Sequence, residues 1–244
     1  MGTMPKLTDF KVLTFDCYGT LIDWESGLFT ALQPLLAKVG RDISRDEVLE
    51  TFARLESAQE EATPSMRYSD VLALVHGRMA EEWGAEVSDE ENRRFGASVP
   101  DWPAFPDSPA ALEYLKSCYR LVILSNVDRA SFAGSKARLG VEFDAVYTAE
   151  EIGSYKPDRR NFEFMLARLA EQGFEKSAIL HTAQSLFHDH VPANAMGLAS
   201  AWIDRRHGVE GGGATVMPES MPRLDFRFTS LGEMAGAHRR EMAE

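Results

Sequence analysis

The chain contains a series of short apolar runs that each stop at polar residues, and this pattern limits what it can fold into. FKVLTFD (Phe10–Asp16) reads as a buried strand. RLVILSN (Arg120–Asn126) is a second run, AVYTAEE (Ala145–Glu151) a weaker third and SAILHTA (Ser177–Ala183) a fourth. LASAWID (Leu198–Asp204) is a fifth, and LDFRFTS (Leu224–Ser230) an edge-like sixth. Helical patterns lie between most of them, such as SPAALEYLKSC before the second run and RNFEFMLARLAEQG before the fourth, which ends at Gly173. Strands alternating with helices predict an α/β fold, with a parallel sheet covered by helices on both faces.

One region breaks the alternation. From about Glu25 to Val99 only helical periodicity is present. Leu28, Leu32, Leu35, Leu36 and Val39 share one helical face. Ser44 with Glu47, and Ser88 with Glu91, have the spacing of capping boxes. Pro100, Pro103, Pro106 and Pro109 then crowd one short stretch that can be neither helix nor central strand. The expected organisation is an α/β core over residues 1–24 and 100–244, with a helical cap over 25–99. HGVEGGGATVMPESMPR reads as a surface loop and GEMAGAHRREMAE as a terminal helix.

The formal net charge of −12 argues against a nucleic-acid binder, which needs clustered Lys and Arg. Cys17 and Cys118 lack the spacing of a zinc site or a disulfide framework. No stretch approaches transmembrane length, and MGTMPKLTDF lacks the apolar segment of a secretory signal. A cytoplasmic protein without nucleic-acid or membrane partners is therefore expected.

In open α/β sheets, ligands bind at the carboxyl ends of the strands. Asp16 ends the first predicted strand, and Ser125 and Asn126 the second. Lys156 follows the third, and Asp189 the fourth. Taken singly, each has an ordinary structural role as a turn, cap or solvated residue. Their recurrence at successive strand ends favours a shared site. His181, His188 and His190 flank Asp189 without a diagnostic metal-ligand spacing, and a supporting role is expected for them. Cys17 is expected in the core, because neighbouring side chains on a strand point to opposite faces.

The motifs FDCYGTL, LSN, YKP and SLFHDHVPANAMGL, in that order and with a helical insertion after the first, resemble those of the haloacid dehalogenase superfamily. The resemblance implies a Rossmann-like core with an inserted helical cap. Phosphatases of this superfamily carry Asp-x-Asp in the first motif, where this chain has Tyr18 as the second member. Ala183-Gln184 stands where Gly-Asp is usual in those phosphatases. A neutral amide is a poor substitute for a carboxylate on magnesium, a hard cation. The Asp-x-Tyr-Gly-Thr pattern instead resembles the L-2-haloacid dehalogenases, which work without metal.

That resemblance implies a hydrolase acting on the carbon–halogen bond of a short 2-haloacid through an ester on Asp16, with no cofactor. Lys156 is expected to keep Asp16 ionised and lower its pKa. Asp189 is expected to orient or deprotonate the hydrolytic water. Ser125 is expected to bond the Asp16 or substrate carboxylate, Asn126 to bind halide, and Ser185 to hold Lys156. Tyr18, Gly19 and Thr20 are expected to shape the turn and offer N–H donors. The family arginine that binds substrate lacks its usual context here. Arg45 and Arg54 are the nearest candidates, and Arg67 a more distant one. A homodimer is implied by resemblance alone. Two alternatives stand beside this reading: a magnesium-dependent phosphatase, or a catalytically silent relative that binds an anion or a protein partner.

Overall fold

A computed structural model describes residues 5–208 and 217–244. Part of the predicted surface loop, 209–216, lies outside the described residues. The strands are β1 (Val12–Phe15), β2 (Arg120–Ser125), β3 (Ala145–Thr148), β4 (Ile179–Ala183), β5 (Ala199–Ile203) and β6 (Phe226–Phe228). They form one sheet in the order β3-β2-β1-β4-β5-β6, with every pairing parallel. All six predicted strands are present, and the edge-like one lies at an edge.

The apolar runs lack period-two alternation because both faces of the sheet are covered. Leu121 and Ile123 of β2 enter one buried cluster, and Val122 and Leu124 the other. On β1, Leu13 and Phe15 join the first cluster and Val12 the second. Each such side chain contributes about 1.5–3 kcal/mol over leaving it in water. Cys17 lies in the first cluster, as expected.

The helices in chain order are α1 (Trp24–Ala31), α2 (Gln33–Leu36), α3 (Arg45–Ala62), α4 (Tyr68–Glu82), α5 (Asp89–Gly96), α6 (Ser108–Lys116), α7 (Arg129–Leu139), α8 (Ala149–Ile152), α9 (Arg159–Glu171), α10 (Val191–Ala195) and α11 (Leu231–Met242). Helices α1 to α5 fill the stretch between β1 and β2 that carries only helical periodicity. The face from Leu28 to Val39 is divided at Leu32 into α1 and α2, and Pro34, which has no N–H to donate, lies at the start of the second. Ser88 and Glu91 form the complete reciprocal cap. At Ser44 only half of it forms: Ser44 Oγ accepts from Glu47 N, while the Glu47 carboxylate turns to Arg41 at 2.5 Å. No helix among the described residues is long and apolar enough to cross a membrane.

The chain leaves the sheet region and returns along neighbouring paths. Ile22 and Ala104 make an antiparallel bridge, Asp23 N donates to Pro103 O at 2.8 Å, and Phe105 N donates to Leu21 O at 3.0 Å. Beside this ribbon, Trp102 is 1% exposed, packs edge-on to Tyr18 and covers Gly27 of α1. A Cβ at Gly27 would come within 2.4 Å of the Trp102 ring. Replacing helical glycine by alanine ordinarily gains up to about 1 kcal/mol. Overpacking against a ring that cannot swing into solvent costs about 1–3 kcal/mol or more. Gly27→Ala is therefore expected to lower stability by about 1–2 kcal/mol, read as a lower urea midpoint at unchanged m-value. An increase in midpoint would show that Trp102 yields.

Candidate active site

The strand order reverses direction at the β1–β4 boundary, and the site is built at the carboxyl ends of those two strands. Phe15 is in register with Ile123 of β2 and Thr182 of β4, so the next residue, Asp16, emerges between two neighbouring strand ends. Its N–H continues the ladder to Thr182 O at 3.2 Å. The turn that follows needs Gly19 at φ +90°, where its Cα also faces Trp24 and Gln184 closely.

Lys156 is 2% exposed and joins the motifs. Its Nζ donates to Asp16 Oδ1 at 3.0 Å, Asp189 Oδ1 at 2.7 Å and Leu124 O at 3.0 Å. Three donors thus meet three acceptors, and the buried ammonium is fully paired. Asn126, after β2, fixes the Lys156 backbone from both sides: Oδ1 accepts from Lys156 N at 2.7 Å, and Nδ2 donates to Lys156 O at 3.0 Å. Thr20 Oγ1 donates to Asp16 Oδ2 at 2.7 Å and accepts from Gln184 N at 2.9 Å, tying the first motif to the fourth. Asp189 lies in a π-helical turn, Leu186–His190. His181 Nε2 is 3.0 Å from Asp189 Oδ1, and His181 Nδ1 is 2.9 Å from Thr14 Oγ1. Asp189 can only accept while ionised, so the ring presents Nε2–H to it. Asp189 Oδ2 is buried with no hydrogen-bond partner among the described residues.

Electrostatics separate the two carboxylates. Burial pushes the Asp16 pKa above its ordinary value, although Lys156 and the Thr20 hydroxyl pull it down. The expectation of a net lowering by Lys156 is therefore corrected: desolvation outweighs the cation. Burial works in the same direction on Asp189, but there the Lys156 charge and the His181 hydrogen bond prevail and hold it below the usual carboxylate range. Burial works to lower Lys156, and the two carboxylates more than offset it, raising its pKa. Burial lowers His188 to about 4, so it is neutral at pH 7.

Several expected contacts are absent. Ser125 Oγ is buried without a partner among the described residues and does not bond Asp16. The Ser185 hydroxyl caps the π-turn through His188 N at 3.0 Å rather than holding Lys156. Gly19 N is taken by Ile22 O at 2.8 Å and is not a free donor. Both amide atoms of Asn126 serve the Lys156 backbone, although the residue lines the cavity. Tyr18 lines the cavity and places its hydroxyl 2.8 Å from Ser135 Oγ.

The arginines lie elsewhere. Arg54 is 58% exposed and pairs with Glu82 at 2.6 Å. Arg67 pairs with Glu150 at 3.2 Å. Arg45 lies over the Phe29 ring and reaches Ser26 Oγ at 3.3 Å. It lines a neighbouring cavity with Arg205 and Arg206, which pair with Asp107 and Glu25. Among the described residues, no arginine lines the cavity that contains Asp16.

Facing the strand ends across that cavity are two carboxylates outside the four motifs, Glu56 and Glu60 of α3. Tyr68 Oη donates to Glu56 Oε1 at 2.5 Å. Burial pushes Glu56 up to about 7, and burial together with Glu56 pushes Glu60 up. A pattern that could have revealed them is a spacing of four: Val48 and Phe52 point inward, and Glu56 and Glu60 continue the same stripe.

The magnesium expected under the phosphatase alternative does not fit these groups. Lys156 and Thr20 engage the Asp16 oxygens, Gln184 offers a neutral amide, and Asp189 is bound to an ammonium. No cluster of three His, Cys, Asp or Glu able to hold a metal occurs among the described residues.

Known proteins support the assignment of the fold and family. A defluorinating L-2-haloacid dehalogenase matches with TM-score 0.77 at 20% identity, over 96% of this chain and 98% of that one. The L-2-haloacid dehalogenase of Xanthobacter autotrophicus, with chloropropionic acid covalently bound, matches with TM-score 0.75 at 20% identity, over 94% and 98%. These two likenesses concern the fold alone. (S)-2-haloacid dehalogenase 4A of Burkholderia cepacia is 29% identical over 178 residues, which are 65% of this chain and 69% of that protein. The model of the haloacid dehalogenase-like hydrolases matches residues 10–181, and with that match the chain belongs to the haloacid dehalogenase-like hydrolase family.

Proposed function

We propose that this hydrolase cleaves the carbon–halogen bond of a short 2-haloacid through an ester on Asp16. The observation that carries the reading is the pairing of a buried carboxylate, Asp16, with the Lys156 ammonium at 3.0 Å, where the position two residues on is Tyr18 rather than a second acid. Halide is a good leaving group and needs no proton, so an acid at position 18 is dispensable. A phosphate ester leaves as an alkoxide and profits from one. The names of the relatives support the same reading.

In this reaction an Asp16 oxygen forms a bond to the carbon, and the carbon–halogen pair of electrons departs with the halide. Lys156 and Thr20 hold the attacking carboxylate in place and favour its ionised form. Water then adds to the ester carbonyl and releases the alcohol, restoring Asp16. Asp189, which lines the cavity and whose Oδ2 has no partner among the described residues, accepts a hydrogen bond from that water. With its pKa held low, Asp189 suits orienting the water better than holding its proton. We assign α1–α5, residues 25–99, the part of a cap over the strand ends, because α3 and α4 supply the wall opposite Asp16.

Two measurements test this function. In EDTA, a panel of haloacetate and 2-chloropropionate is expected to yield halide from at least one member, and Asp16→Asn to abolish it. A single turnover in heavy-oxygen water should leave label in the Asp16 carboxylate. Phosphate-ester turnover that EDTA stops, without halide release, would refute the reading.

The acid limb of kcat/KM is the second. Activity requires ionised Asp16, whose pKa is raised by burial, so activity is expected to fall with decreasing pH at a midpoint above the ordinary aspartate value of 3.8. Thr20→Val removes a hydrogen bond to the charged form, of about 1.5–3 kcal/mol, and should move that midpoint up by about one to two units. Thr20→Ser should leave it in place. An unmoved limb in Thr20→Val would dissociate it from Asp16.

A further inference from the structure

The fifth strand also ends at polar residues, and one of them reaches the nucleophile through a neighbour. Arg205, two residues past β5, is buried, with its side chain 8% exposed. Its guanidinium clasps a single backbone oxygen: Nε and Nη2 donate to Thr20 O at 3.1 and 2.8 Å. At the start of α6, Nη1 donates to Asp107 Oδ1 at 2.7 Å, and Nη2 reaches Ser108 Oγ at 3.3 Å. Asp107 is itself tethered, because its Oδ2 accepts from Gly232 N of α11 at 2.9 Å. The guanidinium carbon lies 4.1 Å from the centre of the Phe105 ring. The fork is thus fixed from several elements before it meets Thr20. Thr20 is wholly buried, and its hydroxyl donates to Asp16 Oδ2 at 2.7 Å. The hydroxyl has one proton, and because it accepts from Gln184 N, that proton goes to Asp16. Carbonyl and side chain turn about the same backbone, so fixing the Thr20 carbonyl limits where its hydroxyl can point. A lysine cannot reproduce this, because an ammonium is a point charge without the planar fork that spans Thr20 O and Asp107.

We propose that Arg205 is a positioning residue for the nucleophile: through the Thr20 carbonyl it aims the Thr20 hydroxyl at Asp16 and so sets the orientation of the attacking carboxylate. The kinetic half of this inference rests on the reading of Asp16 as nucleophile, but its titration half does not. Arg205 does not line the cavity that contains Asp16 and takes no chemical step of its own. Besides Thr20, Asp16 faces Lys156 and Asp189 beside it, Cys17 and Tyr18 next along the chain, His188 along the cavity, and Glu56 and Glu60 opposite. The carboxylates that act on Arg205 are Asp107 and Asp23. All of these are retained in the variants that test the proposal.

The test is a double-mutant cycle read on the acid limb of halide release. Arg205→Lys keeps the charge and breaks the fork. Its midpoint in kcat/KM is expected to rise by about half a unit to one unit, because a loosened hydroxyl favours the charged carboxylate less. Above the limb, where Asp16 is ionised in both proteins, kcat is expected to fall about tenfold with KM little changed. In a Thr20→Val background, Arg205→Lys is expected to move the midpoint no further. Arg205→Gln runs the same cycle without a buried ammonium, and melting curves identify the variants that fold.

A midpoint unmoved by both Arg205→Lys and Arg205→Gln would overturn the proposal. So would a shift of equal size in the Thr20→Val background, since Arg205 would then act by its charge or by the general stability of the turn. If wild type releases no halide from any haloacid, the carbon–halogen reading fails. The cycle is then read from the titration of the Asp16 carboxyl carbon by NMR, with Asp16→Asn identifying the signal, and the same two outcomes decide.

Discussion

A single buried ammonium organises the reactive end of the sheet. Removing Lys156 from water costs several kcal/mol, and the cost is offset only because three acceptors meet it at 2.7–3.0 Å. Those acceptors come from the end of β1, the backbone of β2 and the turn after β4. The position of the lysine is in turn fixed by Asn126, which clasps its peptide on both sides. Distant stretches of chain are thus obliged to converge, because any one of them left out would strand a charge in a low-dielectric interior.

The cluster also divides labour between two carboxylates that share the cation. Asp189 receives a second donor from His181 and stays charged, while Asp16 receives a weaker hydroxyl donor and a larger net penalty of burial. The carboxylate we propose as the nucleophile is therefore the less comfortably solvated of the two. The polar chain continues inward through His181 to Thr14, so a hydroxyl in the middle of β1 finds a partner without interrupting the apolar layers on either side.

The strands and the four motif residues were legible because each depends on local pattern. An apolar run covered on both faces, followed by a polar residue, identifies a strand end without knowledge of its neighbours. Asp16, Lys156 and Asp189 converge as the strand-end rule anticipates. Hydrogen-bond partners were less legible, since Ser185 and Asn126 have the right composition and location but commit their groups to nearby backbone. The arginines failed for a different reason. Arg54 lies on the correct helix, but its angular position faces Glu82 and solvent. Two residues later, Glu56 takes the inward position, and only the four-residue stripe that starts with Val48 reveals this. A helix can carry a carboxylate into a cavity as readily as a leucine, as Glu56 and Glu60 do here.

The paired crossings at Ile22 and Ala104 have an evolutionary consequence. Everything between them is spliced into the sheet at what amounts to one point, because the outgoing and returning chain already touch as a two-stranded ribbon. Such a junction lets the insert be lengthened, trimmed or exchanged for a different one without altering the register of any sheet strand. Asp16 and Lys156 lie outside the insert, while Glu56, Glu60 and Tyr68 within it supply the opposite wall, so the two halves of the cavity can vary separately.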